Sequence, residues 1–126
     1  MSAWIAVDFD ATLAKYDGWV GGDHLGEPIP EMVERVKQWI AQGKTVKIFT
    51  ARVGACNRIN DQGTIDGEEF ASHQRKIITQ WCIDHIGVPL EVTATKDFGM
   101  IELWDDRAVQ VVPNTGQPIA YSVSRL

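Results

Sequence analysis

The sequence predicts an α/β domain, a mostly parallel five-stranded sheet flanked by helices. Three observations carry that expectation. Short apolar runs of strand type stand at residues 4–9, 45–49, 90–94, 100–104 and 108–112. Two stretches with a helical period separate the first run from the second and the second from the third, the pattern of βαβ units with a parallel sheet. The first, second and fourth runs each release aspartate or threonine at their ends, and open α/β sheets place ligands at the carboxyl ends of their strands.

The chain of 126 residues is long enough for one domain, 1–126, and too short for two ordinary ones. Its 44% hydrophobic and 23% charged residues are the balance of a folded soluble chain. No apolar run approaches the roughly 18 residues of a membrane span, and the N-terminus lacks the pattern of a signal peptide. Cys56 and Cys82 have neither Cys-x-x-Cys nor zinc-finger spacing, so free thiols in a reducing, cytoplasmic compartment are expected. The net charge of −5 argues against an extended nucleic-acid footprint, though one terminal phosphate could be gripped locally.

The first strand, Trp4 to Phe9, is apolar on both faces and therefore expected to be central. It runs into Asp8-Phe9-Asp10-Ala11-Thr12. If the strand reached Asp10, both carboxylates would point into one space, because residues i and i+2 share a side. Like charges so placed raise one pKa unless a cation neutralises them, and a hard oxygen-liganded ion such as Mg²⁺ suits. The plain alternative is an exposed turn. Residues 14–26 are too glycine-rich for a helix and read as a loop folded over that strand end. Its Tyr16 and Trp19 could stack on a substrate, but packing on the domain is the ordinary use, and His24 reads as a hydrogen-bonded loop residue.

Pro28-Ile29-Pro30 opens a helix whose apolar stripe is Met32, Val33, Val36, Trp39 and Ile40, with Gly43 as its stop. The second strand, Thr45 to Phe49, ends in Thr50-Ala51-Arg52. A hydroxyl and a guanidinium facing the aspartates make a phosphate site, since Arg matches phosphate oxygens geometrically. A capping threonine with a solvated arginine is the simpler account. Residues 53–67 form a polar loop in which Asn57, Arg58 and Asn60 could touch a substrate. Asp66 and Glu69 have capping-box spacing for a second helix, buried through Phe70, Ile77, Ile78, Trp81 and Cys82 and ended by Gly87-Val88-Pro89. The third strand, Leu90 to Ala94, is followed by Lys96. The fourth, Met100 to Trp104, ends in Asp105-Asp106-Arg107, and adjacent acids there are costly without a cation. Ala108 to Val112 is a fifth strand, Pro113 to Gly116 a turn, and Ile119 to Val123 a short final strand.

Asp8 and Asp10, then Thr50, then Lys96, then Asp105 and Asp106 follow one another at four strand ends. This ordered set resembles the haloacid dehalogenase superfamily of phosphohydrolases, most closely its small bacterial and phage members with Phe-Thr-Ala-Arg and Asp-Asp-Arg signatures. The resemblance runs from Asp8 to Asp106. It implies a three-layer Rossmann-like core with little or no cap, since only 14–27 and 53–67 could cover the site. It also implies an Mg²⁺-dependent phosphatase. Asp8 would be the nucleophile and Asp10 the general acid and base. Thr50 would bind the phosphoryl oxygens, and Lys96 would neutralise charge, with Thr12, Ala51 and Arg52 on the substrate side. Mg²⁺ would sit on Asp8, the carbonyl of Asp10, and Asp106 or Asp105, with Asp106 preferred. The substrate would be a nucleotide, a nucleic-acid end or another accessible phosphomonoester. Ala11 departs from the glycine the family commonly has there. Two other readings compete with it: a catalytically idle metal-binding or regulatory domain, and a response-regulator receiver. A receiver should carry its acceptor aspartate on a middle strand, not the first.

Overall fold

A computed structural model describes residues 2–54 and 67–119. Strands β1 (Trp4–Val7), β2 (Val46–Phe49), β3 (Val92–Thr93) and β4 (Met100–Trp104) form one sheet in the order β3-β2-β1-β4. Every neighbouring pair is parallel. Helix α1 (Pro30–Ala41) joins β1 to β2, and α2 (Gly67–His85) precedes β3. β1 has partners on both sides and is buried at all four positions, which suits its run of Trp-Ile-Ala-Val. The result is a Rossmann-like α/β arrangement.

Ile5, Val7, Val46, Ile48 and Val92 share one core cluster with Met32, Val33 and Val36 of α1 and with Ala71, Ile78, Trp81 and Cys82 of α2. Both helices therefore cover the same sheet face, and the described residues make two layers where three were expected. The reason is chirality. Two successive right-handed crossovers that advance in the same direction, β1 to β2 to β3, leave their helices on one side. The return from β3 to β4 has only residues 94–99, too few for a helix. On the opposite face Trp4 is buried, its indole N–H donating to Asp97 Oδ1 at 2.8 Å and its ring lying 4.6 Å from the Lys47 ammonium.

A fifth strand over 108–112 is not formed. Beyond β4 the chain turns at Asp105-Asp106-Arg107, and Val111 instead makes an isolated antiparallel bridge to Pro118 around the 113–116 turn. Proline at 113 and 118 removes donors that a ladder would need. β1 ends at Val7, two residues short of the expected strand, and β3 keeps only two residues. α1 begins with Pro30 in its first turn, and Gly43 follows its end at φ +80 as a stop requires. Ile119 is the last described residue, so the final strand over 119–123 lies almost wholly outside the described residues. So do the capping role of Asp66, the thiol of Cys56, and Asn57, Arg58 and Asn60. Cys82 is a buried free thiol whose pKa burial pushes up to about 12. No helix among the described residues is long and apolar enough to cross a membrane.

Candidate active site

Asp8 follows β1 directly and continues its ladder, its N–H donating to the Trp104 carbonyl at 2.9 Å. The chain then coils. The Phe9 carbonyl accepts from the N–H groups of Leu13 at 3.0 Å and Ala14 at 2.9 Å, while Ala11 N–H donates to the Ala14 carbonyl at 2.7 Å. That tight turn sets Ala11 at φ +69, a left-handed conformation that disfavours a side chain. The strand stops before the motif, so strand alternation does not set the direction of both aspartates, and each carboxylate takes its own partners at the border of one cavity.

Asp8 instead meets the end of β4. One carboxylate oxygen from each of Asp8, Asp105 and Asp106 lies within 4.8 Å of the others. Burial first, then the Asp105 charge and the hydrogen bond and charge of Asp106, push the Asp8 carboxyl up to about 7, against a lowering contribution from Phe9 N–H. Asp105 Oδ1 also accepts from the Arg107 N–H at 2.7 Å, which fixes the turn after β4. All-oxygen donors with this surplus of negative charge fit a hard divalent cation.

Asp10 is held separately. Arg52 Nε donates to its Oδ2 at 2.7 Å and Nη2 to its Oδ1 at 2.9 Å, a bidentate fork. Arg52 is only 7% exposed, and two more of its five N–H donors are engaged: one on Nη1 with Gln74 Oε1 at 2.8 Å and one on Nη2 with the His24 carbonyl at 3.3 Å. Gln74, fully buried on α2, turns its amide nitrogen to the Gly22 carbonyl at 2.6 Å. One glutamine thus joins helix, arginine and the 14–27 loop. A Cβ at Gly22 would meet Phe70 at 2.8 Å and Gln74 at 2.9 Å, so a side chain there would have to displace those two side chains.

A cavity of about 800 Å³ opens at this carboxyl edge, lined by Asp8, Asp10, Thr50, Ala51, Arg52, Asp105, Asp106 and Arg107, with Tyr16, Trp19 and Phe70 at its side. Thr50 is buried. Its Oγ1 accepts from Arg52 N–H at 3.2 Å, the capping role, and its O–H remains a donor beside the cavity. Thr12 does not line the cavity, and its buried Oγ1 has no hydrogen-bond partner. Lys96 does not line it either. The 94–99 segment leaves the carboxyl edge at once to reach the start of β4, and Lys96 is exposed along it. Arg52 lines the cavity as the brace of Asp10, with four of its five N–H donors committed.

Sequence reasoning missed Gln74. The available signal was a polar residue on the buried stripe of α2, between Phe70 and Ile78. It also underrated Trp19, which packs at 6.1 Å from Phe70 and 5.0 Å from the Arg52 guanidinium yet stays 55% exposed.

No family model and no curated protein matches this chain. A solved structure, a conserved protein coded by a locus of Bacteroides thetaiotaomicron, aligns with a TM-score of 0.56 at 18% identity, over 90% of this chain and 84% of that one. At that identity the likeness concerns the fold alone.

Proposed function

We propose that the chain is a phosphomonoesterase of the haloacid dehalogenase type, dependent on Mg²⁺ and working through an aspartyl-phosphate on Asp8. The observation that carries this reading is the division of labour between two carboxylates two residues apart. Asp8 sits with Asp105 and Asp106, and Asp10 is clamped by Arg52. A nucleophile beside a cation site and a separately oriented acid are what phosphoryl transfer needs.

Asp8, Asp105 and Asp106 would hold Mg²⁺, with the Asp10 carbonyl as the further donor the resemblance implies. Bound there, the cation would neutralise the carboxylates and the charge on the transferring phosphoryl group. The chain's own residues supply the rest. A carboxylate oxygen of Asp8 attacks phosphorus, forming the acyl-phosphate bond as the bond to the leaving oxygen breaks. Asp10, protonated, gives that oxygen its proton, which requires the Arg52 fork to release one of the two carboxyl oxygens while it keeps the other. Asp10 then takes a proton from a water that attacks phosphorus, which releases inorganic phosphate and restores Asp8. The Thr50 hydroxyl donates to a phosphoryl oxygen. Lys96 is assigned no step, and Arg107 borders the cavity as a second cation beside Arg52.

The test is phosphate release from p-nitrophenyl phosphate, nucleotides and end-phosphorylated oligonucleotides, with Mg²⁺ and with chelator, for the wild type and Asp8→Asn. Mg²⁺-dependent release abolished by Asp8→Asn is the expected result. Absence of release on every substrate, with Mg²⁺ shown to bind, would leave a metal-binding domain without this activity.

A further inference from the structure

A second cavity, of about 250 Å³, lies under the 14–27 loop. It shares Asp10, Arg52, Tyr16 and Trp19 with the larger cavity, but Asp8 borders only the larger one. In the phosphatase reading, on which this inference rests, the nucleophile and the general acid lie on opposite sides of the phosphorus. The group leaving past Asp10 would therefore enter the smaller cavity.

Its chemistry selects that group. Trp19 shows one face to the Arg52 guanidinium, 5.0 Å from the ring centre, and with 55% of its surface exposed it has area left for a ring to stack on. Tyr16 borders the same space. Four of the five Arg52 N–H donors go to Asp10, Gln74 and His24, and Arg52 and Lys15 face three acids in the lining, Asp10, Asp17 and Glu27. That balance has no surplus positive charge for a second phosphate. A volume near 250 Å³ falls below the usual range of about 300–1,000 Å³ for ligand pockets, so it suits one ring system. We infer that the cavity under the 14–27 loop is a leaving-group subsite for a small phosphomonoester bearing one planar aromatic ring system, a nucleoside monophosphate, with the base stacked on Trp19.

The experiment compares kcat/KM for a nucleoside 5′-monophosphate, glycerol 3-phosphate and a 5′-phosphorylated oligonucleotide. It uses the full chain as wild type, Trp19→Leu and Trp19→Phe, with Mg²⁺. Stacking predicts a preference of about tenfold for the mononucleotide over glycerol phosphate. That ratio should collapse towards one in Trp19→Leu, chiefly through KM, and survive in Trp19→Phe. Equal use of both compounds, or a ratio untouched by Trp19→Leu, overturns the subsite and leaves the phosphatase standing. A tenfold preference for the oligonucleotide over the mononucleotide overturns the size limit. If nothing is hydrolysed the phosphatase reading falls, and binding decides the subsite by itself. A mononucleotide that shifts the Trp19 indole N–H resonance, assigned by its loss in Trp19→Phe, supports the subsite, and an unmoved resonance overturns it.

Discussion

Asp8 carries the sharpest consequence at the scale of single residues. Its carboxyl is raised from 3.8 to about 7 in the folded chain, so the fold prefers it protonated. The stability this group contributes is fully present below about pH 4 and is lost as the pH climbs through 7. Asp8→Asn, which cannot ionise, should therefore melt higher than the metal-free wild type at pH 8, with the gap closing near pH 4. Thermal melts across that range check it, and a variant that melts lower at pH 8 would sink the account. The same sign makes protons compete with Mg²⁺, so the upward shift in melting temperature caused by the ion should grow from pH 5.5 to pH 8. Ala11 is the second such residue. Its Cβ sits at φ +69, a conformation costing about 1 kcal/mol that glycine avoids. Ala11→Gly should raise unfolding free energy by about 1 kcal/mol in urea titrations, and an unchanged midpoint would count against the strained turn.

Between elements, the joint that matters runs from α2 through Gln74 to Arg52 and the 14–27 loop. Gln74 serves the buried Arg52 and the half-buried Gly22 at once, so replacing it leaves Arg52 Nη1 and the Gly22 carbonyl short of one bond each. Orphaned buried groups of that kind cost about 1–3 kcal/mol apiece. Gln74→Met, close in volume, should lower stability by about 2 kcal/mol or more. In the phosphatase reading it should also reduce kcat more than KM, because the Asp10 clamp slackens while the phosphate donors stay. Chemical denaturation and steady-state kinetics together test this, and a fall in KM alone would deny Gln74 its positioning role. His73 adds a weaker tie, its Nε2 lying 2.5 Å from Asp23 Oδ1 on the exposed side of the same loop. An exposed pair of that kind contributes little, so the loop depends on its buried anchors.

At the scale of the whole molecule, stability is concentrated on one side of the sheet. Both helices and the apolar faces of β1 and β2 share one core, whereas Ile101 on the outer strand β4 is 61% exposed. Amide exchange should accordingly be slowest at Ile5 to Val7, paired on both sides, and faster by orders of magnitude in the 108–119 turn. Comparable protection in the two regions, measured by mass spectrometry, would contradict this distribution. The site lies where the most protected strand ends, which gives Asp8 a rigid base.

Much of this was legible from residue order, because the information is local. Apolar runs, helical periods and proline or glycine punctuation located four strands and two helices, and strand direction alone delivers Asp8, Thr50 and the Asp105–Asp106 pair to one edge. The fifth strand was not legible in the same way, since Ala108 to Val112 has strand composition yet pairs with 117–119 rather than with the edge strand β4. Tertiary structure alone decided how the aspartates divide. Asp8 joins a pair nearly a hundred residues later, and Asp10 joins Arg52, 42 positions on, which depends in turn on Gln74, 22 further. It also decided that both helices share a face and that Lys96, exposed on the short return to β4, does not line the cavity. Periodicity says which way a side chain points along a regular strand or helix. In a turn such as 8–13, direction depends on contacts from distant segments, and those exist only once the chain has folded.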